Sequence, residues 1–323
     1  MQNNYLGGVI IRKYIIRRLF QLIPILLGIT LLSFALMQSS KTDAVDLLYQ
    51  DAGNVASEKV KEEMRKELGL DKPFIVQYIT WLGNVLKGDM GVSYVMKKPV
   101  FTEFMKRLPN TIALTISSIL ITFIISVPLG ILSAVKQNKF TDYIIRFFTF
   151  IGNSLPGFFL SLILIYVFSL KLNLLPVMGN NGLKSLILPT LTLSISMSSK
   201  YTRQIRATVL EELNKEYVLG LRARGVKEKR ILYVNVLKVA LLTVVTLLGL
   251  SIGSLLGGTA IVESIFMWDG VGKLAVDAIQ MMDYPIIQAY VIWMAVIFVV
   301  INLLTDILYN YLDPRIRIGK DIW

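Results

Sequence analysis

Six apolar runs, each near twenty residues long, decide what this chain can become. About 20 residues at 1.5 Å of helical rise cross a hydrocarbon core about 30 Å thick. The runs are Leu19–Gln38, Thr111–Val135, Phe147–Leu170, Leu183–Ser199, Leu237–Val262 and Ile286–Leu308. The fourth is the weakest, being rich in serine and threonine. Inside lipid every backbone N–H and C=O must be satisfied by the protein itself, which favours helices for runs of this length. The expectation is an all-α integral membrane protein with six transmembrane helices. Composition supports it: 54% of the 323 residues are hydrophobic and 17% are charged, against about 25% charged in soluble proteins. Arg12, Lys13, Arg17 and Arg18 precede the first run as they would in a signal peptide. That run is too long for one and no small-residue cleavage site follows, so it reads as a retained helix.

The net charge is +12. A nucleic-acid-binding protein gathers such an excess on one soluble face, whereas a membrane protein gathers it in cytoplasmic loops. The composition favours the second, and no nucleic-acid partner is expected. With the N-terminus inside, the short loops hold 20 Lys and Arg on the inner side against 3 on the outer. The long outer loop is discounted, because loops of that length cross regardless of charge. The resulting plan has a cytoplasmic N-terminus at 1–18, a first span at 19–38 and an external helical segment at 39–110. A core of spans two to six follows at 111–308, including a cytoplasmic loop at 200–236, and then a cytoplasmic tail at 309–323. In the external segment, Val60, Met64 and Leu68 recur four apart, with Ser57 as N-cap and Gly69 as C-cap. A second helix is expected with Pro73 in its first turn, Gly88 at its stop and an apolar face of Phe74, Tyr78, Trp81, Leu82 and Val85. These helices suit the membrane surface or an outer mouth; the plainer reading is a linker.

Much chemistry is excluded by omission. There is no cysteine and no histidine, so disulfides, Cys/His zinc sites and triads using either residue are ruled out. A metal would meet only oxygen or thioether ligands, or travel inside a carrier molecule. "DGVGKL" at 269–274 resembles a phosphate loop, but Met267 and Leu274 stand where that motif needs glycine and Ser or Thr. The spans carry breakers: Pro24, Pro128, "SLPG" at 154–157, Pro189 and Gly257-Gly258. These suit a conduit with moving helices, or simply the commonness of Gly and Pro in membrane helices. Ionisable groups are nearly absent from the spans; Asp306 is the exception, near its inner end, where a helix-end role is the simpler reading. Ser194, Met197 and Ser198 in the fourth span, with Gly253 and Gly257 in the fifth, are candidates for a polar pathway wall. Hydrogen bonding between helices explains the hydroxyls equally well.

The cytoplasmic loop holds the densest signal. Ile205, Val209, Leu213, Tyr217 and Leu221 recur every four residues, so the fourth span is expected to continue as a helix beyond the membrane. Asn214 can interrupt it, a short helix follows at about 216–224, Gly225 supplies a left-handed or open geometry, and a second short helix starts near Val226. Such an element suits a groove on a partner protein. Arg222, Arg224, Lys227, Lys229 and Arg230 can equally serve the positive-inside bias or bind anionic headgroups.

This stretch resembles the cytoplasmic loop motif of ABC importer permeases of the dipeptide/oligopeptide/nickel subfamily, with "YVLGLRARG" at 217–225 and "VALLTVVTLLGL" at 239–250. The resemblance extends through "LGLDKPFIVQY" (68–78), "GDMGVSY" (88–94), "SVPLGILSA" (126–134), "IGNSLPGFFL" (151–160), "LLPVMG" (174–179), "GGTAIVESIFMWDGVGKLAVDAI" (257–279), "DYPIIQ" (283–288) and "LDPRIR" (312–317). Thr243 and Asp269 stand where the family pattern has proline. The nickel-type permease B subunits look most similar, while peptide-type permeases share much of the pattern. The resemblance implies an ABC importer type I permease fold in a bacterial cytoplasmic membrane. It implies a second similar permease chain, two cytoplasmic ATPase subunits that hold ATP and Mg, and an extracytoplasmic binding protein. This chain itself would hold no cofactor and catalyse nothing. Carried over residue by residue, Glu216, Tyr217, Val218, Leu219, Gly220, Leu221, Arg222, Ala223, Arg224 and Gly225 would form the helix seated on an ATPase. The cargo implied is nickel, a nickel chelate or, alternatively, short peptides. An intramembrane enzyme would need clustered acid, base or metal-binding residues that the spans lack. A receptor or scaffold using the basic loop as a lipid patch is the more distant reading.

Overall fold

The structure, a computed structural model, describes residues 20–36, 45–46, 57–67, 69–178 and 182–312. The predicted N-terminal segment 1–18 and the tail beyond 312 lie outside the described residues. Helix is the dominant form. The one extended pairing among the described residues is an isolated antiparallel bridge between Val92 and Pro99. In chain order the helices are α1 (Phe20–Leu36), α2 (Glu58–Glu67), α3 (Phe74–Leu86), α4 (Val100–Val135), α5 (Phe140–Ser154) and α6 (Gly157–Leu164). They continue with α7 (Leu183–Leu213), α8 (Glu216–Ala223), α9 (Leu237–Ile265), α10 (Val271–Gln280) and α11 (Tyr284–Leu312).

The chain forms two compact units. One comprises residues up to Thr111 with Asp269–Val300; the other comprises Ile112–Trp268 with the residues from Ile301 on. In the first unit, α3 packs on α1. The Tyr78 hydroxyl donates to the Leu27 carbonyl at 3.3 Å and lies 3.0 Å from Thr30 Oγ1, and Phe34 meets Tyr78 and Trp81 at ring distances of 5.3 Å. Gly69 and Gly88 both adopt positive φ. Each closes its helix with the paired bonds of a Schellman ending, Leu70 N to Arg65 O and Asp89 N to Asn84 O being the longer-range ones. Pro73 precedes the first helical residue rather than lying within the first turn.

Three expected boundaries are corrected. The second span begins eleven residues early as a helix, because α4 starts at Val100 and runs through Pro109 without a break. The third does not run straight: α5 and the stretch Gly157–Lys171 meet at 104°. Leu155 and Pro156 are both extended there, and a proline disfavours the helical conformation in the residue before it. The expected outer loop after the fifth span contains the helix α10. Val100–Val135 and Tyr284–Thr305 are each long and apolar enough to cross a membrane, as is the bent pair if taken together.

In the second unit, α7 is the helix the others gather on. Its Ile205 covers Gly130 of α4, where an added Cβ would come within 2.7 Å of the isoleucine. Its Ser199 closes over Gly152 of α5 in the same way. Small residues permit this close approach of helix backbones. Asp142 of α5 is wholly buried. It accepts a bidentate pair from Arg206 at 2.8 Å and further bonds from Ser133 Oγ at 2.5 Å and the Asn138 amide at 3.0 Å. A buried carboxylate is tolerated when fully satisfied in this manner.

Candidate functional site

The cytoplasmic-loop expectation falls on α7, α8 and the turn that follows. Helix α7 ends at Leu213, with Asn214 as its C-cap. Asn214 therefore interrupts the helix as expected, but the residue capping α8 is Lys215, which makes no side-chain cap bond. The break resets the helical phase. The four-residue repeat Ile205, Val209, Leu213 continues inward, yet it is Val218, not Tyr217, that is wholly buried in α8. Val218 joins Ile205, Val209, Ile231 and Val236 in one apolar cluster, flanked by Leu213, Leu221 and Val226. Tyr217 turns outward and donates to Glu212 Oε2 at 3.0 Å. Partial burial and that carboxylate push its phenol up to about 12. Lys215 closes an ion pair to the other oxygen of Glu212.

Gly225 has φ +73°. It ends α8 in a Schellman motif, with Gly225 N donating to Arg222 O at 2.9 Å and Val226 N to Leu221 O at 3.1 Å. The Leu221 and Val226 side chains sit on the same cluster, which supplies the apolar contact this ending favours. The second short helix expected from Val226 is corrected: Glu228–Arg230 runs through a π-helical turn, Ile231–Val236, directly into α9. The site is thus one helix end, one tethered short helix and one helix start, closed by a tight turn.

The five cations separate into two kinds. Arg222 Nε donates to Glu228 Oε1 at 2.6 Å and Nη2 to Oε2 at 3.3 Å, across the turn. That bond raises the guanidinium and holds the Glu228 carboxyl below the usual carboxylate range. Arg224, Lys227, Lys229 and Arg230 are exposed and form no ion pair among the described residues. The outer face of α8 carries Glu216, Tyr217, Leu219, Gly220 and Ala223, all exposed, with Leu219 59% accessible. A leucine that open, beside two small residues, is a flat apolar spot on a segment whose inner face is fixed.

The expected pathway residues are placed differently. Ser194 and Ser198 are buried, their hydroxyls donating within α7 to Leu191 O at 3.3 Å and Ile195 O at 3.1 Å. Met197 packs beside the apolar cluster around Ile205 and Val209. Gly253 is half-buried in α9. The surroundings of Gly257 and the side chains of Thr243 and Asp306 lie outside the described residues. The reading of nearly uncharged spans is corrected at Glu263: α9 continues to Ile265, and Glu263 is wholly buried. Val262 and Phe266, which pack in one cluster with Leu188, carry the helical spacing that could have extended the fifth run past it. In the first unit, Asp269 accepts from Arg107 Nε at 2.7 Å through its carboxylate and from Asn110 Nδ2 at 2.7 Å through its carbonyl. "GDMGVSY" and "DYPIIQ" come together there. Asp283 accepts Ser93 Oγ at 2.5 Å and the Tyr94 amide at 3.0 Å, and Tyr94 lies edge-on to Tyr284. Burial, with Asp283 beside it, pushes the Tyr94 phenol up to about 12.

Comparison with known proteins is consistent along nearly the whole chain. The family described as "Binding-protein-dependent transport system inner membrane component" matches residues 126–318, and its N-terminal companion matches residues 11–115. The oligopeptide transport system permease protein AppB of Bacillus subtilis is 43% identical over 94% of this chain and 99% of its own. The glutathione transport system permease protein GsiC of Escherichia coli is 38% identical over 94% and 99%. The metal-staphylopine import system permease protein CntB of Staphylococcus aureus is 38% identical over 95% and 99%. Among solved structures, an inward-facing MetNI methionine ABC transporter matches with TM-score 0.55 at 17% identity, covering 65% of this chain and 96% of that one; this is a likeness of fold.

Proposed function

Because the chain belongs to the binding-protein-dependent transport system inner membrane component family, and is thereby a permease subunit of an ABC importer, we propose that Glu216–Gly225 couples it to a cytoplasmic ATPase. The observation that carries this reading is the two-sided character of α8. Val218 is fully buried against α7 and the start of α9, while Leu219 beside it is exposed. A helix held so firmly from within transmits a push on its outer face to both long helices. In the proposed cycle, two ATPase subunits bind ATP and Mg and close. The α8 segments of this chain and of a second, similar permease chain move with them, and the helices switch between inward- and outward-open states. The states need only differ in their contacts with cargo and partners. An extracytoplasmic binding protein delivers cargo, both termini lie in the cytoplasm, and the membrane is the bacterial cytoplasmic membrane. The pathway wall would draw on Ser194, Met197, Ser198, Gly253 and Gly257 in a state that turns α7 and α9 from their present packing.

Cargo is read as nickel or a nickel chelate from the motif resemblance, with short peptides second. The relatives named for oligopeptide, glutathione and metal-staphylopine transport favour the peptide and chelate ends of that range over a bare ion. The absence of His and Cys points the same way, since a naked nickel ion would meet only weak ligands on this chain. Uptake of radioactive nickel, with and without a chelator, against labelled dipeptides in a strain deleted for this chain separates the cases. Loss of chelated-nickel uptake alone supports the metal reading. Loss of dipeptide uptake with nickel uptake unchanged replaces it with the peptide reading.

A further inference from the structure

Helix α5 buries Asp142, Ile145, Thr149 and Gly152 and turns a band of large apolar side chains outward. Phe140, Tyr143, Phe147, Phe148 and Phe150 are each more than half exposed. Beside them, along the seam with α7, lies a groove of about 780 Å³. Its cationic rim is Arg146, Arg203 and Arg206, and Phe147, Phe148 and Phe150 supply an aromatic wall. Arg206 is committed to Asp142. Arg146 sits over the Tyr143 ring at 5.8 Å, and no carboxylate pairs with Arg146 or Arg203 among the described residues. Lys136 and Lys139, both exposed in the turn before α5, add to the same sign of charge. The α4–α5 turn and Arg203 share one side with the α8 segment in the proposed topology, at the boundary between cytoplasm and hydrocarbon.

We propose that this groove is a binding site for an acidic glycerophospholipid of the cytoplasmic leaflet, its phosphate held by Arg146 and Arg203 and an acyl chain laid over Phe147 and Phe148. Arginine's planar fork matches phosphate oxygens, and an aromatic wall next to a cationic rim matches a molecule that is anionic at one end and apolar at the other. A protein occupant would have to bring both an acidic group and an apolar ridge to the same seam. The assignment of the leaflet rests on the cytoplasmic placement proposed above; the binding itself does not.

The test uses the full chain with its copurifying partners, reconstituted in nanodiscs of phosphatidylcholine with or without phosphatidylglycerol, and counts retained lipid by native mass spectrometry. Wild type retains phosphatidylglycerol in preference to phosphatidylcholine. Arg146→Gln with Arg203→Gln weakens that retention roughly 25-fold, about 5-fold for each cation. The Arg146→Lys, Arg203→Lys pair keeps most of the preference and shows that the glutamine chain's loss reflects charge, provided both variants elute as intact assemblies. Lys227→Gln with Lys229→Gln leaves retention unchanged. Equal weakening by the Lys227 and Lys229 changes reduces the effect to a diffuse field and overturns the site. So does absence of a preference in wild type, equal binding of glycerol phosphate lacking acyl chains, or release of the second permease chain in place of lipid. Since retention is read without ATP, failure of ATPase coupling leaves this result standing. A Lys139→Cys label, unique in a cysteine-free chain, reports the leaflet separately.

Discussion

Arg222 and Arg224 stand two residues apart and have separable roles. Arg222 spans the turn to Glu228, while Arg224, the C-cap of α8, projects outward without an ion pair among the described residues. Both partners of the Arg222 pair are exposed, so its weight is in fixing the turn more than in stability. Reversing Arg222 to Glu is expected to lower transport, and adding Glu228→Arg to restore most of it. Reversing Arg224 has no partner through which to be rescued. Uptake by the single and double variants checks this; a double variant no better than Arg222→Glu places Arg222 on the partner ATPase instead. The pH sign follows from Glu228, whose carboxyl is held below its ordinary value by Arg222. The pair's contribution is present above the ordinary carboxylate range and is lost as pH falls through and below it, so the turn is insensitive around neutrality. Gly225 was legible in sequence because a glycine after a short amphipathic run is the usual left-handed helix end. Met267 and Met282 occupy the same conformation at the ends of α9 and α10, with φ of 52° and 49°. They were not legible, because a methionine carries no backbone signal of that kind.

Among the elements, α7 holds α4 and α5 through close backbone approaches. Gly152→Ala would drive a Cβ into the Ser199 side chain, and turning the Ser199 hydroxyl aside would break its bond to Ile195 O at 2.8 Å. Overpacking of this sort costs about 1–3 kcal/mol. The thermal midpoint of the purified chain should fall for Gly152→Ala and recover in large part when Ser199→Gly is added. Independent, additive losses would show that the two helices do not meet there. The periodicity of Ile205, Val209 and Leu213 made the extension of α7 to Leu213 readable. The bend between α5 and α6 was half readable: "SLPG" marked a breaker, but a run of apolar residues on both sides concealed that two extended residues separate the helices. The start of α4 was hidden by the opposite error. The apolar run begins only at Thr111, yet the helix starts at Val100 and passes through Pro109, braced on its first turns by Arg107 bonding the Glu103 carbonyl at 3.1 Å.

At the scale of the whole molecule, the pattern of apolar runs fixes the helical class, and it cannot reach contacts such as Ser93 to Asp283, 190 residues apart. No local periodicity carries that pairing; only folding of the first unit brings the two segments together. The proposed coupling segment is the case where a local pattern would reach function, because one residue step along α8 changes sides. Val218 is wholly buried and Leu219 is 59% exposed. Val218→Asp puts a charge into an apolar cluster without a partner, which costs several kcal/mol; the chain should fail to accumulate in the membrane. Leu219→Asp leaves the cluster intact and should keep the wild-type thermal midpoint. If Leu219 is a central contact on the ATPase, its loss costs about 2 kcal/mol, which is roughly a 30-fold weaker association. Copurification of the ATPase then falls and uptake falls with it, while the ATPase alone keeps its hydrolysis. A Leu219→Asp chain that retains its ATPase and its uptake removes α8 as the coupling element, whatever the family resemblance. A chain that loses both while still folding assigns the lever to the exposed face of a helix whose buried face is set by its neighbour in sequence.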